Sequence, residues 1–305
     1  LLTRVYANLT IGVKLAIGFT ILIAFSTALG VIGITALHRY GQSATEVAST
    51  SAIERAILSA RTEEKNFLMR GDVAFAEKAQ KRLETARSIA SDLTGHTAGT
   101  SPAQARLQAI IAGTDRYSAL LTEVAQVLDE TATTREQLVL DGRILEAQMN
   151  AEDRLYLASS ILKQMRRDER EYVQTGDADA LIQFDNRLGR VLASIRSSSL
   201  ESDEKEAMAE LFQAYSSSFK AFADHKQRTD SLEAEMVETA RQSLAAAGDL
   251  QDDQVATMGE EREQSRLMVA ASTATILVFG VGLAWLLTRL ITRPIREAVA
   301  AARRV

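Results

Sequence analysis

The sequence has no cysteine, only two prolines, three histidines and 5% aromatic residues. Without thiols there is no disulfide scaffold, no Cys-ligated zinc or iron–sulfur site and no Cys nucleophile. His38, His96 and His225 are scattered without metal-site spacing, so solvated histidines are expected and no cofactor or metal is. Pro102 and Pro294 are separated by 191 residues without a proline, a run that strand-rich folds rarely sustain and long helices do. The remaining composition, 46% hydrophobic and 25% charged over 305 residues, excludes disorder and suffices for about two buried cores.

Charge is absent from two long stretches. Leu15 to Leu37 and Leu267 to Thr288 run 23 and 22 residues without a charged side chain, and about 20 residues suffice to cross a bilayer. The first run exceeds a signal-peptide apolar region, so an uncleaved anchor is expected. Arg4, Lys14, Arg289, Arg293, Arg296, Arg303 and Arg304 flank the two runs against a single acid, Glu297, which places both ends in the cytoplasm. The expected organisation is a cytoplasmic N-terminus (1–14), a first span (15–37), an extracytoplasmic domain (38–266), a second span (267–288) and a cytoplasmic segment (289–305). The domain carries a net charge of −11, which argues against nucleic acid as a partner.

Between the spans, apolar residues recur at helical spacing, as in Ile53, Ile57, Ala60, Phe67 and in Leu155, Leu162, Met165, Tyr172. Breaks are expected at Gly71-Asp72, from Thr94 to Ser101, from Asn150 to Asp153, at Gly176-Asp177 and from Ser197 to Asp203. Ser101 before Pro102 is a helix start. A repeat organises these breaks: Arg61 to Asp72 aligns without gaps to Arg166 to Asp177, keeping the arginine, Glu64/Glu169, Phe67/Tyr172 and the Gly-Asp pair. Gly71 and Gly176 are expected to end helices in a conformation that glycine tolerates. Length matching predicts that the pieces around each glycine lie end to end beside a long helix. The expected fold is all-α: two stacked four-helix bundles made of six helices, two of them long.

Glu64 and Glu169 fall on apolar stripes, where a charge requires a partner. One reading makes a polar pocket in which Arg61, Lys65, Arg166 and Arg170 grip a carboxylate, helped by Asn66 or Tyr172. The other pairs Arg61 with Glu169 and Arg166 with Glu64, fixing helix register. Arg82, Arg116 and Arg187, with Arg106, Tyr117 and Tyr215 near them, are candidates for a second anion site or for solvated surface pairs. No phosphate loop, Ser-His-Asp grouping or other enzyme motif is present, and no enzyme activity is expected.

The repeated Arg-x-x-Glu-x-x-Phe/Tyr stretch ending in Gly-Asp, between two spans, resembles the helical bimodular sensor domain of bacterial chemoreceptors, the methyl-accepting chemotaxis proteins. Leu290-Ile-Thr-Arg293-Pro294-Ile-Arg-Glu297 is similar to the opening of a HAMP relay helix. The resemblance covers essentially the whole chain. It implies a two-pass protein of the bacterial inner membrane with a periplasmic sensor for a small organic acid anion. It also implies homodimerisation, signal relay through Arg293 and Pro294, and cytoplasmic signalling partners. Relatives hold dicarboxylates with arginines of the first and fourth helices; Arg166 matches the latter, whereas Ala60 and Glu63 stand at the first-helix positions. Two alternatives stay open: the input half of a histidine kinase or cyclic-dinucleotide enzyme, and a ligand-free helical adaptor that recruits a periplasmic protein.

Overall fold

The computed structural model describes residues 10–95 and 101–302. Among them the chain is all-α, with six helices: α1 (Ile11–Arg70), α2 (Val73–Thr94), α3 (Pro102–Ala151), α4 (Tyr156–Thr175), α5 (Ala178–Arg196) and α6 (Ser202–Ala302), with a short 3-10 turn at Asp153–Leu155. His96 lies outside the described residues, as do the side chains of Arg293 and Pro294 on α6.

Local chemistry sets the boundaries. Ser101 Oγ accepts a hydrogen bond from the Gln104 amide at 3.3 Å ahead of Pro102, as its capping position predicts. Gly71 and Gly176 adopt φ of 68° and 72°, and each donates its amide to a carbonyl four residues back, Phe67 and Tyr172, at 2.8 Å. This is the left-handed helix stop. The aspartate that follows each glycine caps the next helix, Asp72 accepting from the Ala74 amide and Asp177 from the Asp179 amide, both at 3.0 Å. The two copies therefore end and restart their helices by the same chemistry.

These glycines reverse the chain, which corrects the expectation of end-to-end pieces. Arg187 on α5 reaches back to Gln164 at 3.1 Å and pairs with Asp168, so α5 folds along α4. In the first copy, Glu64 of α1 meets Tyr117 of α3, while Gln80 and Arg87 of α2 bond Thr122 and Asp115 at 2.8 and 2.7 Å. Since α1 and α2 both reach one short stretch of α3, they form a hairpin. A glycine stop followed at once by an aspartate cap leaves a two-residue connection, a length that a tight helical hairpin accommodates. The long partner of α3 is instead α6: Arg116–Glu235, Arg228–Glu123 and Ser218–Asp141 follow one antiparallel course.

Contacts divide the chain into two units, residues 53–247 and residues 1–52 with 248–305. Within the first, Tyr172, Phe184, Tyr215 and Phe219 form an aromatic cluster with ring centroids 4.4–5.6 Å apart. Gly113 and Gly142 leave α3 unbroken and admit close neighbours: a β-carbon would come within 2.1 Å of Ser243 Oγ at the former and 2.6 Å of Arg166 Nη1 at the latter. Within the second unit, α1 and α6 run antiparallel in a single register through Phe25–Phe279, Ser43–Glu261 and Thr50–Gln254. Both helices are long and apolar enough there to cross a membrane.

The reversal at Gly71 yields a test, because open space surrounds both Gly71 and Gly189, which sits inside α5. Gly71→Ala forces a side chain into the left-handed region and should cost ~1–2 kcal/mol. Gly189→Ala should instead stabilise by ~0.5–1 kcal/mol through helix propensity. Urea unfolding followed by circular dichroism measures both; effects of equal sign would contradict a left-handed stop at Gly71.

Candidate functional site

The repeat builds one motif twice. In the first copy the Glu64 side chain is 1% exposed. Arg61, one turn earlier on α1, donates to its Oε1 at 2.6 Å, and the Tyr117 hydroxyl of α3 donates to Oε2. In the second copy Glu169 accepts from Arg166, again one turn earlier, and from the Tyr215 hydroxyl of α6. Tyr117 and Tyr215 are fully buried. Arg166 additionally donates to Glu146 at 2.9 Å and lies over the Tyr215 ring, 5.8 Å from its centroid. A buried carboxylate with fewer donors would be strongly destabilising, so each Arg–Glu–Tyr group is a self-contained solution to an electrostatic problem.

Burial, and next the neighbouring carboxylate, push both tyrosine phenols above their ordinary value. They stay protonated donors in the folded chain wherever an unfolded tyrosine would begin to ionise.

The structure departs from both sequence readings of the repeat. Arg61 and Arg166 share no pocket, and neither pairs with the other copy's glutamate. The first group meets α3 at Tyr117 and the second abuts Gly142, 25 residues further along the same helix, or ~37 Å at 1.5 Å per residue. The physical reason is the hairpin: α1 and α4 lie against different stretches of α3. Lys65 is exposed and Asn66 half-buried on α1, away from the second copy's arginines. Tyr172 packs edge-on against Phe219 and donates to the Ala223 carbonyl at 3.3 Å. Of the second candidate site, Arg82 is exposed on α2, Arg116 pairs with Glu235 and Arg187 with Asp168, so the three do not converge.

Arg166 and Arg170 do come together, on a cavity of about 290 Å³ between α3 and α4. Its other walls are Glu146, Met149, Asn150, Ser159, Leu162 and Lys163. Arg166 is neutralised by its two carboxylates, whereas Lys163 and Arg170 have no ion pair or side-chain hydrogen bond among the described residues. Three cations on successive turns of one face, an amide, a hydroxyl and the apolar Met149–Leu162 surface suit a small organic anion. Lys163, Asn150 and Ser159 were not legible as site residues from the repeat alone. The signal for Lys163 was its spacing from Arg166 and Arg170 on one helix face. The first copy has Leu58 at the corresponding position.

Tyr117→Phe and Tyr215→Phe each remove one donor from a buried carboxylate and should cost ~1–3 kcal/mol. The pH dependence follows the raised phenol pKa: the contribution is complete below about pH 10, the ordinary tyrosine value, and is lost as pH rises further, because unfolded phenols then release protons that folded ones retain. Unfolding free energy measured from pH 8 to 11 should fall more steeply for the parent chain than for either variant; parallel profiles would remove the tyrosines from the account.

The chain matches no protein-family model and no curated protein.

Proposed function

We propose that this chain is the input half of a two-pass transmembrane receptor of the chemoreceptor type, which recognises a small organic anion outside the cytoplasm. The observation that carries the reading is the α3–α4 cavity, where Lys163 and Arg170 stand beside Arg166 without an ion pair among the described residues. The two helices long and apolar enough to cross a membrane fit a protein of the bacterial inner membrane with a periplasmic sensor. The hairpins and the shared long helices are compatible with two stacked four-helix bundles. One would combine α1 and α2 with the first half of α3, the other α4 and α5 with its second half, α6 serving both. Homodimerisation, relay through the HAMP-like segment at Arg293 and Pro294, and cytoplasmic output partners belong to the same proposal. A kinase or cyclic-dinucleotide enzyme as output is compatible with the same sensor.

One observation favours the ligand-free adaptor as a second reading. Both Arg–Glu–Tyr groups are self-paired, as a purely structural register device requires. The unpaired cations of the cavity weigh the other way.

Thermal unfolding of the chain against a panel of organic, amino and aromatic acids separates the two. A ligand at about 100 times its dissociation constant should add ~2.7 kcal/mol of stability. Arg170→Ala combined with Lys163→Ala should abolish that shift and leave the fold intact, since both side chains are exposed. Arg166→Ala is unsuitable alone, because it strands the buried Glu169. A silent panel, or a shift that survives the double variant, would favour the adaptor or another site.

A further inference from the structure

A second cavity, of about 510 Å³, lies between α1 and α6 within the unit formed by residues 1–52 and 248–305. It straddles the points where both apolar runs give way to charge. Gly33, Ala36 and Leu37 of α1 face Met268, Val269 and Ala270 of α6 at one end; Arg39, Tyr40, Arg262 and Arg266 gather at the other. The one acid in the lining, Glu261, accepts a hydrogen bond from Ser43 at 2.9 Å. Arg39 and Arg262 have no ion pair among the described residues, and Arg266 has only a loose contact of 3.8 Å with Glu263 on its own helix.

An apolar trough that ends in three arginines is amphipathic along its length. A soluble anion would satisfy the arginines and leave the trough wet. A second helix would fill the trough and bury two unpaired guanidinium groups at a large cost. One chemical class satisfies both ends: an acyl chain in the trough with its phosphate at the arginines, which form planar, bidentate phosphate contacts. The arginines also stand on the side of the membrane opposite the basic cytoplasmic flanks, where the positive-inside rule offers them no role.

We propose that this groove binds an anionic phospholipid of the outer leaflet of the bilayer, the phosphate held by Arg39, Arg262 and Arg266 and one acyl chain lying along Gly33, Ala36 and Val269. The inference rests on the membrane-spanning reading above and adds a ligand to it. Bound there, the lipid sits between the two helices where they leave the apolar zone and opposes their sliding or separation.

The test uses the full chain in a neutral detergent, with membrane association checked first by carbonate extraction of the expressing cells. Thermal unfolding is then followed against phosphatidylglycerol, phosphatidylcholine of the same chains, and glycerol 3-phosphate. Phosphatidylglycerol should raise Tm by ~5 °C at a hundredfold excess over its Kd, with a much smaller rise for phosphatidylcholine and none for glycerol 3-phosphate. The shift should disappear in Arg39→Gln/Arg262→Gln/Arg266→Gln, which removes the phosphate contacts, and in Ala36→Leu, which fills the trough. Equal stabilisation by both lipids, persistence in the variants, or an effect of glycerol 3-phosphate alone would overturn the lipid site. A chain released into the soluble fraction by carbonate would overturn the membrane reading itself, and the lipid site with it.

Discussion

Two carboxylates buried among helices constrain everything around them. Taking Glu64 or Glu169 out of water costs several kcal/mol unless every strong hydrogen-bonding position is filled. Both find one donor on their own helix, three residues earlier, and one on a different helix. The first contact comes with helix formation. The second exists only when a hairpin sits at one particular height on its neighbour, since a slip of one turn moves the hydroxyl ~5 Å away. Tyr117 thus fixes α1 against α3, and Tyr215 fixes α4 against α6, with a precision that apolar packing of small residues such as Ala76, Ala79, Ala86 and Ala90 on α2 would not impose.

The copies diverge in what surrounds this shared device. Arg61 serves one carboxylate, Lys65 stands where the second copy has Arg170, and the position of Lys163 is held by Leu58. Arg166 bridges two carboxylates on two helices, an approach that the missing side chain at Gly142 permits. The remaining positive charge of that face, Lys163 and Arg170, borders a cavity and makes no ion pair among the described residues. The register device is present twice, and the copies differ in charge on this face at one position, Leu58 against Lys163.

Much of this was legible in the sequence, for local reasons. Gly71-Asp72 and Gly176-Asp177, Ser101-Pro102 and the two uncharged runs act within a few residues of themselves, so they survive without knowledge of the tertiary structure. The direction of the chain at the glycines was not legible by length matching, because α1 with α2 end to end and α6 alone are both long enough to accompany α3. A two-residue Gly-Asp connection suits a kink as well as a reversal, and only the contacts of α2 with α3 and of α5 with α4 decide between them. The buried tyrosines were hidden for a related reason: Tyr117 lies on the Ile110, Leu120, Val124 stripe and Tyr215 on the Met208, Phe212, Phe219 stripe, where an aromatic reads as core. Only the pairing of a carboxylate on one apolar stripe with a hydroxyl on another gives them a role.

That pairing also bears on how a cavity on α3 and α4 would influence α6. Arg166 is at once a wall of the cavity and the donor to Glu169, and Glu169 is the acceptor for Tyr215 on α6. An anion that draws the guanidinium toward Lys163 and Arg170 weakens its hold on Glu169, and the buried carboxylate then relies more heavily on the tyrosine. The helix position that best keeps the Tyr215 contact would then be favoured, by no more than the difference in ligand affinity between the two arrangements. The route is two hydrogen bonds long, contains one charged group whose loss cannot go uncompensated, and ends on the helix that includes the second apolar run. A ligand in this cavity would therefore act first on the packing of α6 against α4, where Glu169 and Tyr215 meet.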